Sequence, residues 1–203
     1  RLTMATIREA LAIALAHEEA GRFEAAEQVY RWILELAPGQ PDALHHLGLI
    51  ALQRGWHETA RTYLEEAVRR DDSRPQFHNN LGEFYRRLGR IPEAVGCFQR
   101  AAALKPDYAA AFYNLGVVHA GVGDLAQAIA AYRRAIQAKP DYAEAHNNLA
   151  AALAAQGNLD EAIFHYQPAL QARPDDVGDH LLQGEKAEHE LAARGLGAHG
   201  SSG

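Results

Sequence analysis

The chain has one cysteine, Cys97, among 203 residues. No internal disulfide can form, and no four-thiolate metal site can be built. Such sparing use of cysteine fits a reducing compartment, and a cytoplasmic location is expected. Basic blocks are missing too. The net charge is -6, with acidic and basic residues interspersed, which leaves no electrostatic footprint for nucleic acid or an anionic membrane. No apolar run is long enough to span a bilayer. Ile7 to Leu15 is interrupted by Arg8 and Glu9 and followed by His17, Glu18 and Glu19, so it reads as an ordinary helix and not as a cleavable leader. Met4 reads as a natural start and Arg1 to Thr3 as an addition ahead of it.

Catalytic patterns are equally scarce. Gly121-Val122-Gly123 follows no strand and is no phosphate loop. There is no nucleophile elbow, and Cys97 reads as a small packing residue between Gly96 and Phe98. Eleven histidines invite a metal hypothesis, but none forms a His-x3-His pair with a nearby carboxylate in a recognised arrangement. His45 and His46 are adjacent and diverge on a helix, while His78 and His146 read as packing residues. No metal, no cofactor and no enzyme activity of its own are expected.

What is present is self-similarity. Hydrophobic residues make up 48% of the chain, enough for a core, and many are alanines, which favour close-packed helices. Lys105-Pro106-Asp107-Tyr108-Ala109 recurs 34 residues later as Lys139-Pro140-Asp141-Tyr142-Ala143. Asn80-Leu81, Asn114-Leu115 and Asn148-Leu149 share that spacing. The chain then divides into repeats 7–40, 41–74, 75–108, 109–142 and 143–176. The seventh place (Ile13, Leu47, Leu81, Leu115, Leu149) is the apolar stripe of a first helix. The eighth (Ala14, Gly48, Gly82, Gly116, Ala150) is small, so a second helix can approach. Gly21, Gly55, Gly89, Gly123 and Gly157 end the first helices with positive φ. Ala26, Ala60, Ala94, Ala128 and Ala162 hold the twentieth place, and Tyr30, Leu64, Phe98, Tyr132 and Tyr166 follow one turn on.

With this period and these small-residue and proline places, the chain resembles the tetratricopeptide repeat family over about 170 residues. The resemblance implies an all-α fold: a right-handed superhelix of five helix-turn-helix repeats over 5–176, whose first helices line a concave groove. A capping helix is expected over 177–194, and 195–203, rich in Gly and Ser, reads as a flexible tail or linker. Repeat two departs from the pattern with Asp72 at the closing proline's place. Repeat one departs with Ala10 at the fourth place and Ile33 where a small residue is usual. Pro168 falls inside the second helix of repeat five. A proline there costs about 3 kcal/mol, so a kink or an early stop is expected, unless the array end simply tolerates it.

Register also fixes the candidate groove. Places two, five, six, nine, twelve and thirteen of each first helix share one face. The sixth carries His46, Asn80, Asn114 and Asn148, and the fifth carries His45, Asn79, Tyr113 and Asn147. Glu83, Arg86 and Arg87 lie on the same face. Three asparagines at one place form a ladder, and an amide can pair with the C=O and N–H of a peptide unit. The ladder reads backbone and not sequence. The alternative is that these asparagines bond only neighbouring helices. The groove looks similar to the repeats of O-linked N-acetylglucosamine transferases at Asn80, Asn114 and Asn148. The family's other known groove, a clamp for C-terminal carboxylates, needs lysine or arginine beside the asparagines. Arg8, Asp42, Gln76, Ala110 and Glu144 at the second place do not supply it.

The expected partner is a protein or extended peptide, with no nucleic acid and no membrane. The chain reads as the N-terminal substrate-recruiting part of a larger bacterial-style enzyme such as a glycosyltransferase, with a methyltransferase or sulfotransferase equally open. A free-standing scaffold that bridges partners or self-associates is the alternative. For that role Trp32 offers an aromatic on the outer face, where its sibling residues are charged or proline. Packing of Trp32 against its own N-terminal segment is the other reading.

Overall fold

A glycine ends the first helix of every repeat. Gly21, Gly55, Gly89, Gly123 and Gly157 all hold φ between +70° and +84°, a backbone region that costs a side chain energy and glycine almost none. In the computed structural model, which describes residues 4–172, these turns separate α1 (Met4–Glu19) from α2 (Phe23–Leu36), α3 (Pro41–Gln53) from α4 (His57–Arg70) and α5 (Pro75–Arg87) from α6 (Ile91–Leu104). They likewise separate α7 (Ala109–Gly121) from α8 (Leu125–Ala138) and α9 (Ala143–Ala155) from α10 (Leu159–Ala172). The described residues contain no strand. Prolines start α3 and α5, where the missing N–H would have had no helical partner. Among the described residues no helix is long and apolar enough to cross a membrane.

The chain forms two compact units, one carrying α1–α6 and the other α7–α10. Within each, the eighth place of a first helix lies hard against the second helix. A Cβ added at Gly48 would meet Leu64 at 2.7 Å, one at Gly82 would meet Phe98 at 2.7 Å, and one at Gly116 would meet Tyr132 at 2.4 Å. The twentieth-place alanines are fully buried, as are Tyr30 and Phe98. Burying side chains of this size stabilises by about 1.5–3 kcal/mol each.

The core of the first unit runs backward between repeats. Leu47 and Ile50 of α3 pack with Ala10 and Ala14 of α1 and Ala26, Tyr30 and Ile33 of α2. In the second unit Leu149 of α9 packs with Ala128, Ile129 and Tyr132 of α8. A seventh-place residue therefore buries itself against the preceding pair. This corrects the expectation for Ile13, which is 54% exposed: no described pair precedes α1. The early stop expected at Pro168 does not occur, because α10 continues to Ala172. An interior proline removes a single helical hydrogen bond, and the turns on either side carry the helix on. The capping helix expected over 177–194 and the tail over 195–203 lie outside the described residues, as do Arg1 to Thr3.

Candidate functional site

In the first unit the first-helix face is built from α1, α3 and α5. The fifth place turns inward there. His45 is 5% exposed and Asn79 is 8% exposed, so neither lies open on the face as the register alone implied. The His45 ring is covered by an aromatic neighbour, stacking on Phe77 at 4.5 Å. Asn80 is half-buried, and its Nδ2 donates to His45 Nε2 at 3.0 Å. An imidazole nitrogen that accepts must be unprotonated, so His45 is neutral and carries its hydrogen on Nδ1, which is buried without a partner. Burial, with the neighbouring His46 and Arg74 acting in the same direction, pushes the His45 pKa down to about 3 against the opposing pull of Asp42.

His46 and Glu83 organise the rest of that face. The half-buried His46 stacks on Tyr30 at 5.2 Å, and its Nδ1 lies 2.9 Å from Glu18 Oε2, off the line of a hydrogen bond. Glu83 accepts from Arg86 Nε at 2.7 Å and from Arg87 Nε at 2.8 Å. Burial raises the Glu83 pKa, but the two guanidinium groups outweigh it and hold the carboxyl below its ordinary range. Both arginines are thereby occupied by a carboxylate of their own helix. A ligand carboxylate would have to compete with Glu83 for them, which weighs further against a carboxylate clamp.

In the second unit the face is built from α7 and α9. Tyr113, Asn114, Asn147 and Asn148 are all half-buried. Asn148 Nδ2 donates to the Tyr113 hydroxyl at 3.2 Å, and the Tyr113 ring lies 5.1 Å from that of Tyr142. Asn147 Oδ1 is buried without a partner. Asn80 with His45 and Asn148 with Tyr113 thus repeat one arrangement: the sixth-place amide bonds the fifth-place side chain of the preceding first helix. Each bond uses one amide hydrogen, so an asparagine here keeps further bonding capacity.

Beside Asn148 an open cleft of about 360 Å³ is lined by Val117 and Ala120 of α7, Leu125 and Tyr132 of α8, and Asn148, Ala151, Ala152 and Ala155 of α9. Asn148, a candidate by register, lines this cleft, which register alone did not reveal. Its signal was legible in the siblings: the ninth place reads Leu15, Leu49 and Glu83 before Val117 and Ala151, and the thirteenth reads Glu19, Gln53 and Arg87 before Gly121 and Ala155.

The other polar groups pack. His78 Nε2 donates to the Asp72 carbonyl at 2.9 Å, and His146 Nε2 donates to the Pro140 carbonyl at 3.0 Å. Both histidines hold the fourth place and both carbonyls the thirty-second, so the pair ties each first helix to the end of the preceding repeat. His146 Nδ1 also meets His165 Nδ1 at 3.0 Å. Among the described residues no group of three His, Cys, Asp or Glu could hold a metal ion. Burial, aided by the Glu93 and Glu65 carboxylates, pushes the Cys97 thiol up to about 11, far from a reactive thiolate. Trp32 is 42% exposed and Leu36, one turn along α2, is 39% exposed, an exposed apolar pair.

The chain is similar to known proteins in sequence and in fold. The human tetratricopeptide repeat protein 7A is 32% identical over 88 residues, and the human cell division cycle protein 16 homolog is 28% identical over 96. Each alignment covers 43% of this chain but only 10% and 16% of those much longer relatives. The crystal structure of MamA superposes with a TM-score of 0.70 at 28% identity, covering 81% of this chain and 96% of that one. Residues 11–75 and 113–177, and separately 73–141, match the Tetratricopeptide repeat family. With more than half of its length matched, this chain belongs to the tetratricopeptide repeat family, whose members mediate contacts between proteins.

Proposed function

We propose that the chain binds an extended peptide segment of a partner protein on its first-helix face, with the sixth-place asparagines pairing peptide backbone. The observation that carries this reading is Asn148. Its Nδ2 is steadied by the Tyr113 hydroxyl, and the amide borders an open cleft, so a carbonyl oxygen is held in place toward a ligand. Each such rung adds about 0.5–1.5 kcal/mol per hydrogen bond, which gives weak, permissive binding once the ordering of the peptide is set against it. The further reading, an N-terminal recruiting part of a larger glycosyltransferase, rests on the asparagine register and draws nothing from the relatives above.

A peptide array probed with the chain and with Asn114→Ala and Asn148→Ala tests the binding. Both variants should weaken every bound peptide by a similar factor, whatever its sequence. Retention of all bound peptides by the double variant would remove the asparagines from the site. The alternative reading, a self-associating scaffold, draws on the exposed Trp32 and Leu36.

A further inference from the structure

We propose that the cleft between α7 and α9 seats one uncharged aliphatic side chain of the bound peptide and so supplies the selectivity that the asparagines lack. This rests on the reading of the first-helix face as a peptide site. The cleft exists because side chains shrink at three groove places. Ala120 stands where repeats one to three have Glu18, Leu52 and Arg86, Ala151 where they have Leu15, Leu49 and Glu83, and Ala155 where they have Glu19, Gln53 and Arg87. The space released is about 360 Å³, at the small end of the range for ligand sites and enough for an aliphatic side chain with part of its backbone.

Its chemistry selects the occupant. Among the described residues none that lines the cleft is charged. A carboxylate or ammonium entering it would lose water and gain no counter-charge, whereas an apolar side chain gains roughly 25 cal/mol for each Å² buried. Two polar groups mark one wall. Tyr132 is 2% exposed, and its hydroxyl faces the Asn148 amide. Asn148 keeps an acceptor for a peptide N–H beside the seat. The pairing is therefore a backbone unit at Asn148 and the neighbouring aliphatic side chain in the cleft. The first unit offers the contrast: at the corresponding places of α5, Glu83 is tied to Arg86 and Arg87, and charge fills the face.

The test is an NMR titration of the full chain with three capped peptides, acetyl-Gly-Gly-X-Gly-Gly-amide, where X is Leu, Glu or Lys. The leucine peptide should bind about tenfold more tightly than the other two, with shifts concentrated on the Val117 and Leu125 methyls and the Asn148 side-chain amide. Ala151→Leu refills the cleft with the residue its siblings carry, at an exposed position. It should bring the leucine peptide down to the level of the others. Ala155→Gln, matching Gln53, is a second fill with the same expected result. Equal binding of all three peptides, lost in Asn148→Ala, would overturn the cleft and leave the backbone reading standing. Tight leucine-peptide binding that survives both fills would place the side chain elsewhere and overturn the proposal. If no peptide shifts any residue of α7 or α9, the peptide reading falls with it.

Discussion

Asn80→Ala and Asn148→Ala remove the same amide from the same repeat place, yet their costs should differ. Asn80 serves His45, whose ring is 5% exposed and whose Nδ1 already has no partner. Truncating Asn80 leaves an imidazole buried with both nitrogens unpaired, a desolvation cost of about 1–3 kcal/mol. Asn148 serves the hydroxyl of the half-buried Tyr113 and faces that of Tyr132 on the wall of the open cleft. A phenol hydroxyl can rotate toward water, so only the net worth of neutral hydrogen bonds is lost, at the low end of about 0.5–1.5 kcal/mol each. The expected gap is on the order of 1 kcal/mol.

Urea denaturation measures this gap with a convenient division of probes. Trp32 and Trp56 are the chain's two tryptophans and both lie in the first unit. Fluorescence therefore reports the unit that holds Asn80, and far-UV circular dichroism reports both. Asn80→Ala should lower the fluorescence midpoint, and Asn148→Ala should leave it nearly unmoved while shifting the dichroism. Adding His45→Phe to Asn80→Ala should recover part of the loss, since removing both partners of a buried bond costs less than removing one. An Asn80→Ala variant as stable as Asn148→Ala, or a double variant weaker than the sum of its parts, would refute the claim that Asn80 is there to satisfy His45.

Three further outcomes rest on a buried group, on two close contacts and on an exposed tryptophan. His45 has its pKa pushed down to about 3 from about 6.5 in an unfolded chain. The unfolded state binds the proton first, so the stability from neutral His45 is complete above pH 6.5 and falls by about 1.4 kcal/mol per pH unit as pH drops toward 3. Urea midpoints between pH 7 and 5.5 should fall more steeply for the native chain than for His45→Gln. Gly116→Ala puts a methyl 2.4 Å from the Tyr132 ring and Gly48→Ala one 2.7 Å from Leu64. Both should destabilise by about 1–3 kcal/mol, and Gly116→Ala by more, because an aromatic ring yields less than a leucine branch; equal melting temperatures for the two variants would contradict this. Trp32→Ala should reduce any self-association seen by sedimentation across concentrations, and an unchanged dimer would take Trp32 out of the contact.

The fold was legible because it is written five times. A single apolar pattern cannot distinguish a core residue from an exposed one, but five siblings at one place can. Gly48, Gly82 and Gly116 in register announced the close approach to Leu64, Phe98 and Tyr132, and the turn glycines announced their positive φ. Where register failed, a neighbour was different. Ile13 shares its place with Leu47, yet among the described residues no helix pair precedes it as one precedes and buries Leu47. Register describes a residue's own helix and cannot supply a partner from the next one. Pro168 shows the same limit from the other side, since propensity scores one residue while α10 runs past it as a whole.

The site divides along that line as well. Places common to the repeats predict what the repeats share, and what they share here is largely internal. The Asn80 and Asn148 bonds to His45 and Tyr113 first serve the packing of one first helix on another and only then a ligand. Any preference for one partner over another must come from places where the repeats differ. On these faces the differences are of two kinds. Glu83, Arg86 and Arg87 form a charge cluster that satisfies itself, and such a cluster offers a ligand only what exchange can win. Ala120, Ala151 and Ala155 instead withdraw atoms and leave space with no internal occupant. An unfilled apolar surface beside an anchored amide keeps interaction energy that the Glu83 cluster has already used within the chain, so selectivity should change most when Ala151 or Ala155 is enlarged and least when Arg87 is replaced.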